Sequence, residues 1–207
     1  MGKKEISLLQ LDVLREVGTI SSARAATALS EILNCKVEIS FPEVRLIPLE
    51  DLNEVLHNPE EIYFVLDIAL ERELEGRLFF LLLPEQAKLL GEELLRRKIK
   101  EPFLRDELFC SSLKEIANIL AGSYMSALFD FVGLTVKYSI PSLGMDMVSA
   151  LMDFFFIYMA QKSEEVILVD TRFKVKDRNL KGFFLFFLSW DSLKKLIERL
   201  GVNNIRR

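Results

Sequence analysis

The chain has 207 residues, half of them hydrophobic, with 27 basic against 31 acidic side chains and a net charge of −4. That length and apolar content suffice for a sizeable buried core, and charges interspersed without a basic cluster exclude the electrostatic footprint of a nucleic-acid binder. The apolar runs Leu78 to Leu83, Ala150 to Ala160 and Phe183 to Leu188 are interrupted or shorter than the roughly 20 residues that span a bilayer, so no membrane insertion is expected.

Met1-Gly2-Lys3-Lys4-Glu5 runs into the Ile6 to Leu14 segment without the apolar core and cleavage site of a signal peptide, which points to the cytoplasm. Cys35 and Cys110 stand 75 positions apart in a chain whose one histidine is His57, so neither a CxxC pair nor a zinc site can be assembled. Both cysteines are expected to be buried reduced thiols, and His57 a loop residue.

In chain order, the first half reads as a helix through Glu16 and Leu29, then an alternating strand Lys36 to Phe41 that stops at Pro42. A connection leads to a strand from Ile62, a turn near Glu75-Gly76, a strand over Arg77 to Leu83 and a helix over Glu85 to Arg97. The second half repeats this. Moved by 99 positions, Glu16-Val17-Gly18-Thr19-Ile20 falls on Glu115-Ile116-Ala117-Asn118-Ile119, and Lys36 to Pro42 falls on Thr135 to Pro141. Further on, Glu60 to Val65 resembles Glu164 to Val169, and Gly76 to Leu83 resembles Gly182 to Ser189, with a turn at Lys181-Gly182 and a last helix over Asp191 to Leu200. The growing shift places an insertion between Pro141 and Glu164, where Met145 to Ala160 reads as an apolar helix.

Neighbouring strands joined by short turns imply antiparallel pairing, and strands apolar on both faces, such as Arg77 to Leu83 and Phe183 to Leu188, belong at the centre of a covered sheet. The expected fold is therefore α+β, a pseudo-twofold repeat of helix-strand-strand-strand-helix halves sharing an antiparallel sheet with helices packed on it. Lys98 to Glu107 is too short and charged to act as a flexible linker, so 1–207 is expected to form one domain with repeats at about 8–100 and 107–203.

Ser111, Glu115 and Asn118 are spaced i, i+4, i+7, so at about 100° per residue they fall within roughly 60° of one another, opposite Leu113, Ile116 and Leu120. Any amphipathic helix exposes such residues; the weight comes from recurrence, because Asp12, Glu16 and Thr19 take the same positions opposite Val13, Val17 and Ile20. Small residues follow both stripes: Ala23, Ala25, Ala26 and Ala28, then Ala121, Gly122, Ser123, Ser126 and Ala127. They allow close helix packing within the domain or approach by another chain.

A polar residue, Glu four on, Asn three further, then Ala-Leu nine and ten beyond, twice in one chain, resembles the CheC/CheX/FliY family of response-regulator phosphatases, nearest its CheC branch. Ser111, Glu115, Asn118, Ala127 and Leu128 match in full; the first copy matches at Asp12, Glu16, Ala28 and Leu29, with Thr19 in place of asparagine. The resemblance implies a chemotaxis phosphatase that hydrolyses the phospho-aspartate of a CheY-type response regulator. It implies no cofactor of the chain's own, with Mg2+ on the phosphorylated receiver, and gives Asn118 the in-line water, Glu115 an ion pair with the receiver's lysine and Ser111 a peripheral place. A threonine hydroxyl is shorter and β-branched, so Thr19 reaches less far, and one active site is expected, with Asp12, Glu16 and Thr19 a degenerate second one.

Two other readings stay open. The chain could bind a receiver without catalysing anything, as flagellar-switch domains of this architecture do, or it could regulate the receptor deamidase CheD, which the resemblance would dock near Asp146 in Pro141 to Met147. Ser142 also suits an ordinary helix start. The internal symmetry favours a monomer unless Phe154-Phe155-Phe156 is exposed.

Overall fold

The computed structural model describes residues 8–40, 43–56, 58–159, 165–176 and 178–202. The N-terminal pentapeptide, Pro42, His57 and the stretch around 160–164, all noted above, lie outside that set.

The first half runs α1 (Leu8–Leu33), β1 (Val37–Ser40), β2 (Val44–Pro48), α2 (Leu52–Leu56), β3 (Ile62–Arg72), β4 (Gly76–Leu82) and α3 (Pro84–Leu95). The second runs α4 (Glu107–Val132), β5 (Val136–Tyr138), β6 (Ser142–Met147), α5 (Val148–Met159), β7 (Glu165–Val175), β8 (Arg178–Leu188) and α6 (Trp190–Val202). The two orders are the same. Both long helices end on a left-handed residue, Asn34 (φ 49°) and Gly133 (φ 71°), the two residue types that adopt this backbone at least cost.

Every strand pair is antiparallel, in one eight-stranded sheet of order β1-β7-β8-β4-β3-β5. β2 lies beside β7 and β6 beside β3, so each edge is made of two short strands. The halves meet at the centre, where Phe80 of β4 lies opposite Phe184 of β8 with the rings stacked at 4.6 Å between centroids.

The alternation of β3, β4, β7 and β8 feeds two cores. On one face Phe64, Leu66, Phe80, Val169 and Phe184 pack under α1, α3, α4 and α6; on the other Val65, Phe79, Leu168 and Phe187 pack under α2 and α5. Both faces of the central strands are therefore dry, as their unbroken apolar runs required. No helix among the described residues is long and apolar enough to cross a membrane.

Several local expectations are corrected. Each half carries a strand more than expected, β2 and β6, and the first half also a short helix, α2, within its connection, where the second has the expected apolar helix α5. Ser142 starts a strand, not a helix, and the apolar helix begins at Val148 rather than Met145. β7 ends at Val175 and β8 begins at Arg178, so Lys181-Gly182 lies inside β8 and not at the turn. Gly182 is small because a Cβ there would sit 2.7 Å from the Phe80 ring and 3.0 Å from the Leu81 carbonyl oxygen. Strand pairing carries Leu66 and Phe80 onto Val169 and Phe184, which moves the Glu60/Glu164 alignment by one residue and slides the Gly76/Gly182 alignment by two. An even slip leaves every side chain on its own face, so the hydrophobic pattern cannot register it. Cys35 and Cys110 are free thiols but only half-buried. Phe155 is buried, while Phe154 and Phe156 are exposed.

Candidate functional site

The second-copy residues sit on α4. Asp106 caps its start, accepting from the Phe109 N–H at 3.1 Å, and is itself held by Arg97, whose Nη2 lies 2.6 and 2.7 Å from the two carboxylate oxygens. The Arg97 hydrogen bond, followed by the Phe109 N–H, holds the Asp106 carboxyl below its ordinary range. Phe109, Leu113, Ile116, Ala117 and Leu120 are buried and fix the rotation of the helix, which leaves Ser111 and Glu115 exposed and Asn118 half-buried on the outer side. At 1.5 Å rise per residue the stripe is about 10 Å long from Ser111 to Asn118, and Glu115 stands about one turn from Asn118. None of the three makes a side-chain hydrogen bond or ion pair among the described residues. A carboxylate and an amide held on a rigid helix and unused by the fold are available to a partner.

Asp12, Glu16 and Thr19 are likewise exposed on α1, with Val13 and Val17 buried behind them. Two differences separate the copies. Asp12 accepts from Arg15 Nη1 at 2.9 Å, an exposed i,i+3 pair of small energetic weight. Thr19 donates its hydroxyl hydrogen to the Arg15 carbonyl oxygen at 3.1 Å, the usual back-bond of a threonine inside a helix, so its one proton is spent on its own backbone.

The small residues that follow the stripes let α1 and α4 pack together. Ala25, Ala121 and Ala127 are fully buried, and Arg24 of α1 reaches across to Ser126 Oγ at 2.9 Å and Asp130 Oδ2 at 2.6 Å on α4. Gly122 has the Tyr138 hydroxyl 2.7 Å from where its Cβ would lie. The close-packing reading of these residues therefore holds.

Sequence reasoning missed Leu108. It precedes Ser111 by three positions, shares its side of the helix and is 62% exposed, an apolar residue at the end of a polar stripe. The i, i+3, i+7, i+10 spacing of Leu108, Ser111, Glu115 and Asn118 would have revealed it.

Asp146 lies at the other side of the molecule, on β6 opposite Tyr63, exposed and bonded only to the Met147 N–H at 2.9 Å. It borders a cavity of about 310 Å³ whose wall includes Asp67, Phe79, Leu151 and Phe154, with Met145, Met147 and Phe156 exposed nearby. The structure thus keeps Asp146 apart from Glu115 and Asn118. No group of three metal-ligating side chains occurs among the described residues.

A model of the CheC-like family matches residues 9–45 and 110–145, the two stretches that carry the stripes and the short strands after them. The CheY-P phosphatase CheC of Bacillus subtilis is 30% identical over 202 residues, covering 94% of this chain and 95% of that protein. The flagellar motor switch phosphatase FliY of the same organism is 25% identical over 139 residues, 66% of this chain but 36% of FliY. Among solved structures, Thermotoga maritima FliY superposes with a TM-score of 0.75 at 21% identity, covering 95% of this chain and 98% of that one.

Proposed function

The chain belongs to the CheC-like family, and from that premise we propose that it hydrolyses the phospho-aspartate of a CheY-type response regulator at the α4 stripe. It is a response-regulator phosphatase, a hydrolase. The observation that carries the assignment to α4 is the contrast between Asn118, whose amide has no partner among the described residues, and Thr19, whose hydroxyl is bonded to its own helix.

An aspartyl phosphate is already activated, and a Mg2+ ion on the receiver neutralises its oxygens, so the phosphatase need only position a nucleophile. The Asn118 carbonyl oxygen accepts a hydrogen from a water and its NH2 can donate, which fixes the water in line with the phosphorus–oxygen bond to be broken. Glu115, one turn away, pairs with a lysine of the receiver and sets the docking angle. Ser111 and Leu108 line the contact beyond it. The chain needs no cofactor of its own for this. We read residues 8–100 and 107–203 as two copies of one unit, of which the second kept the asparagine.

Release of phosphate from a Mg2+-loaded phospho-receiver, measured with and without the protein, tests this reading. Acceleration over the receiver's own hydrolysis is expected; an unchanged or slowed rate would mean that the surface binds without catalysing.

A second activity, binding of a CheD-type deamidase, is favoured by exposed Asp146 among Met145, Met147, Phe154 and Phe156, an acidic group inside an apolar surface. Asp146→Lys is expected to abolish retention of the deamidase in a pull-down, and full retention would remove this surface from the account.

A further inference from the structure

The two central hairpins carry an acid at matching positions, Asp67 on β3 opposite Phe79 and Asp170 on β7 opposite Phe183. Asp67 is satisfied within the chain: Arg77 Nε and Nη2 donate to its two oxygens at 2.8 and 2.6 Å, a bidentate fork. The residue matching Arg77 is Lys181, and it does not take that part. Its Nζ stands 4.6 Å from the centre of the Phe183 ring, and no ion pair joins it to Asp170. Asp170 is 7% exposed, and its Oδ1 has no hydrogen-bond partner.

This carboxylate lines a cavity of about 370 Å³ between β2, α2 and the β7–β8 hairpin, large enough for a ligand of amino-acid size. Asp51 and Glu54 stand at its wall beside Val55 and Phe183, giving three carboxylates against Arg45 and Lys181. Of those two cations, Arg45 leans on Glu43, its Nε 3.3 Å from Oε1 though without a hydrogen bond, and neither a hydrogen bond nor an ion pair joins it to Asp170. A buried carboxylate without a donor is costly, and the carboxylate excess at the wall favours a cation over an anion. Absence of a three-ligand cluster among the described residues argues for an organic cation rather than a metal ion.

We propose that the cavity binds an alkylguanidinium group, with Asp170 as its buried acceptor and Asp51 and Glu54 drawing it in. Arg77 on Asp67 is the same contact made in cis. The apolar Val55 and Phe183 surfaces carry the alkyl stem. The site lies on the α2 and α5 face, away from the α4 stripe, and stands independently of the phosphatase reading.

The test is calorimetric titration of the full chain with two probes, L-arginine and N-acetyl-L-arginine amide, the second mimicking a side chain of a partner protein. Saturable binding of at least one is expected, tighter for the amino acid if the natural ligand is a free metabolite and for the amide if it is a protein arginine. Asp170→Asn should weaken it by at least about tenfold, as removal of a charge-assisted fork does. Lys181→Arg, a surface change that restores the Arg77 arrangement in cis, should block it without threatening the fold. Binding of neither probe, or equal binding by the wild type and both variants, would overturn the proposal.

Discussion

Helices α1 and α4 have the same length, the same left-handed stop and the same outward Glu, yet they differ in what their polar stripes do with hydrogen bonds. On α1 the hydroxyl of Thr19 and the carboxylate of Asp12 are engaged with Arg15; on α4 the side chains of Ser111, Glu115 and Asn118 have no partner in the described chain. Both helices are held in place because each buries a face in the core. Only the surface chemistry is free to diverge, and it has diverged at Asp12/Ser111 and at Thr19/Asn118, the second of which would decide, on the proposed mechanism, whether a water can be held.

The largest way to break that comparison, after loss of Asn118 itself, is charge reversal at the matching glutamates. Glu115→Lys should raise KM for the phospho-receiver by about tenfold or more, as loss of one partner of an interfacial charge pair does, while Glu16→Lys leaves it nearly unchanged. Comparable effects from both would mean that the two helices dock receivers alike.

A smaller effect is expected at Leu108. Leu108→Asp should raise KM about threefold to tenfold with kcat retained, since an exposed apolar anchor contributes about 1 kcal/mol to docking. A fall in kcat alone would place Leu108 outside the contact.

Thr19→Asn sharpens the comparison from the other side. It removes the back-bond to Arg15 and supplies the missing amide, so phosphate release per molecule should rise, at most to a doubling. No rise would show that α1 lacks more than the asparagine.

The smallest effect concerns the cap that anchors α4. The folded-state pKa of Asp106 is depressed by Arg97 and the Phe109 N–H, so its contribution to stability is present above its unfolded value of about 3.9 and is lost as pH falls through the folded value. Asp106→Asn should therefore melt below the wild type at neutral pH, with the gap closing below about pH 4. A gap independent of pH would mean that the Arg97 pair contributes nothing.

The helical stripes were legible because burial of Leu113, Ile116 and Leu120 follows the 3.6-residue period, and the central strands because both their faces are apolar. β2 and β6 were hidden: each is a short edge piece that follows a proline in the sequence, Pro42 or Pro141, and their pairing with β7 and β3 is long-range. Gly182 resembled a turn signal, yet it marks close approach to Phe80 inside β8. The Asp67–Arg77 fork and the unsatisfied Asp170 could not be read at all, because cross-strand neighbours follow from register, and a slip by two residues is silent in strands apolar on both faces. Thr19 as the weaker member was legible from side-chain reach; its bond to Arg15 supplies a second, structural reason.

The most direct measurement is the rate of phosphate release from Mg2+-loaded phospho-receiver with Asn118→Ala beside Thr19→Ala, each judged folded by circular dichroism. Loss of about 10²-fold in kcat for Asn118→Ala, the scale set by removing one positioning group, with Thr19→Ala close to wild type, is the result this account predicts. Full activity in Asn118→Ala together with loss in Thr19→Ala would contradict it and move the active site to α1.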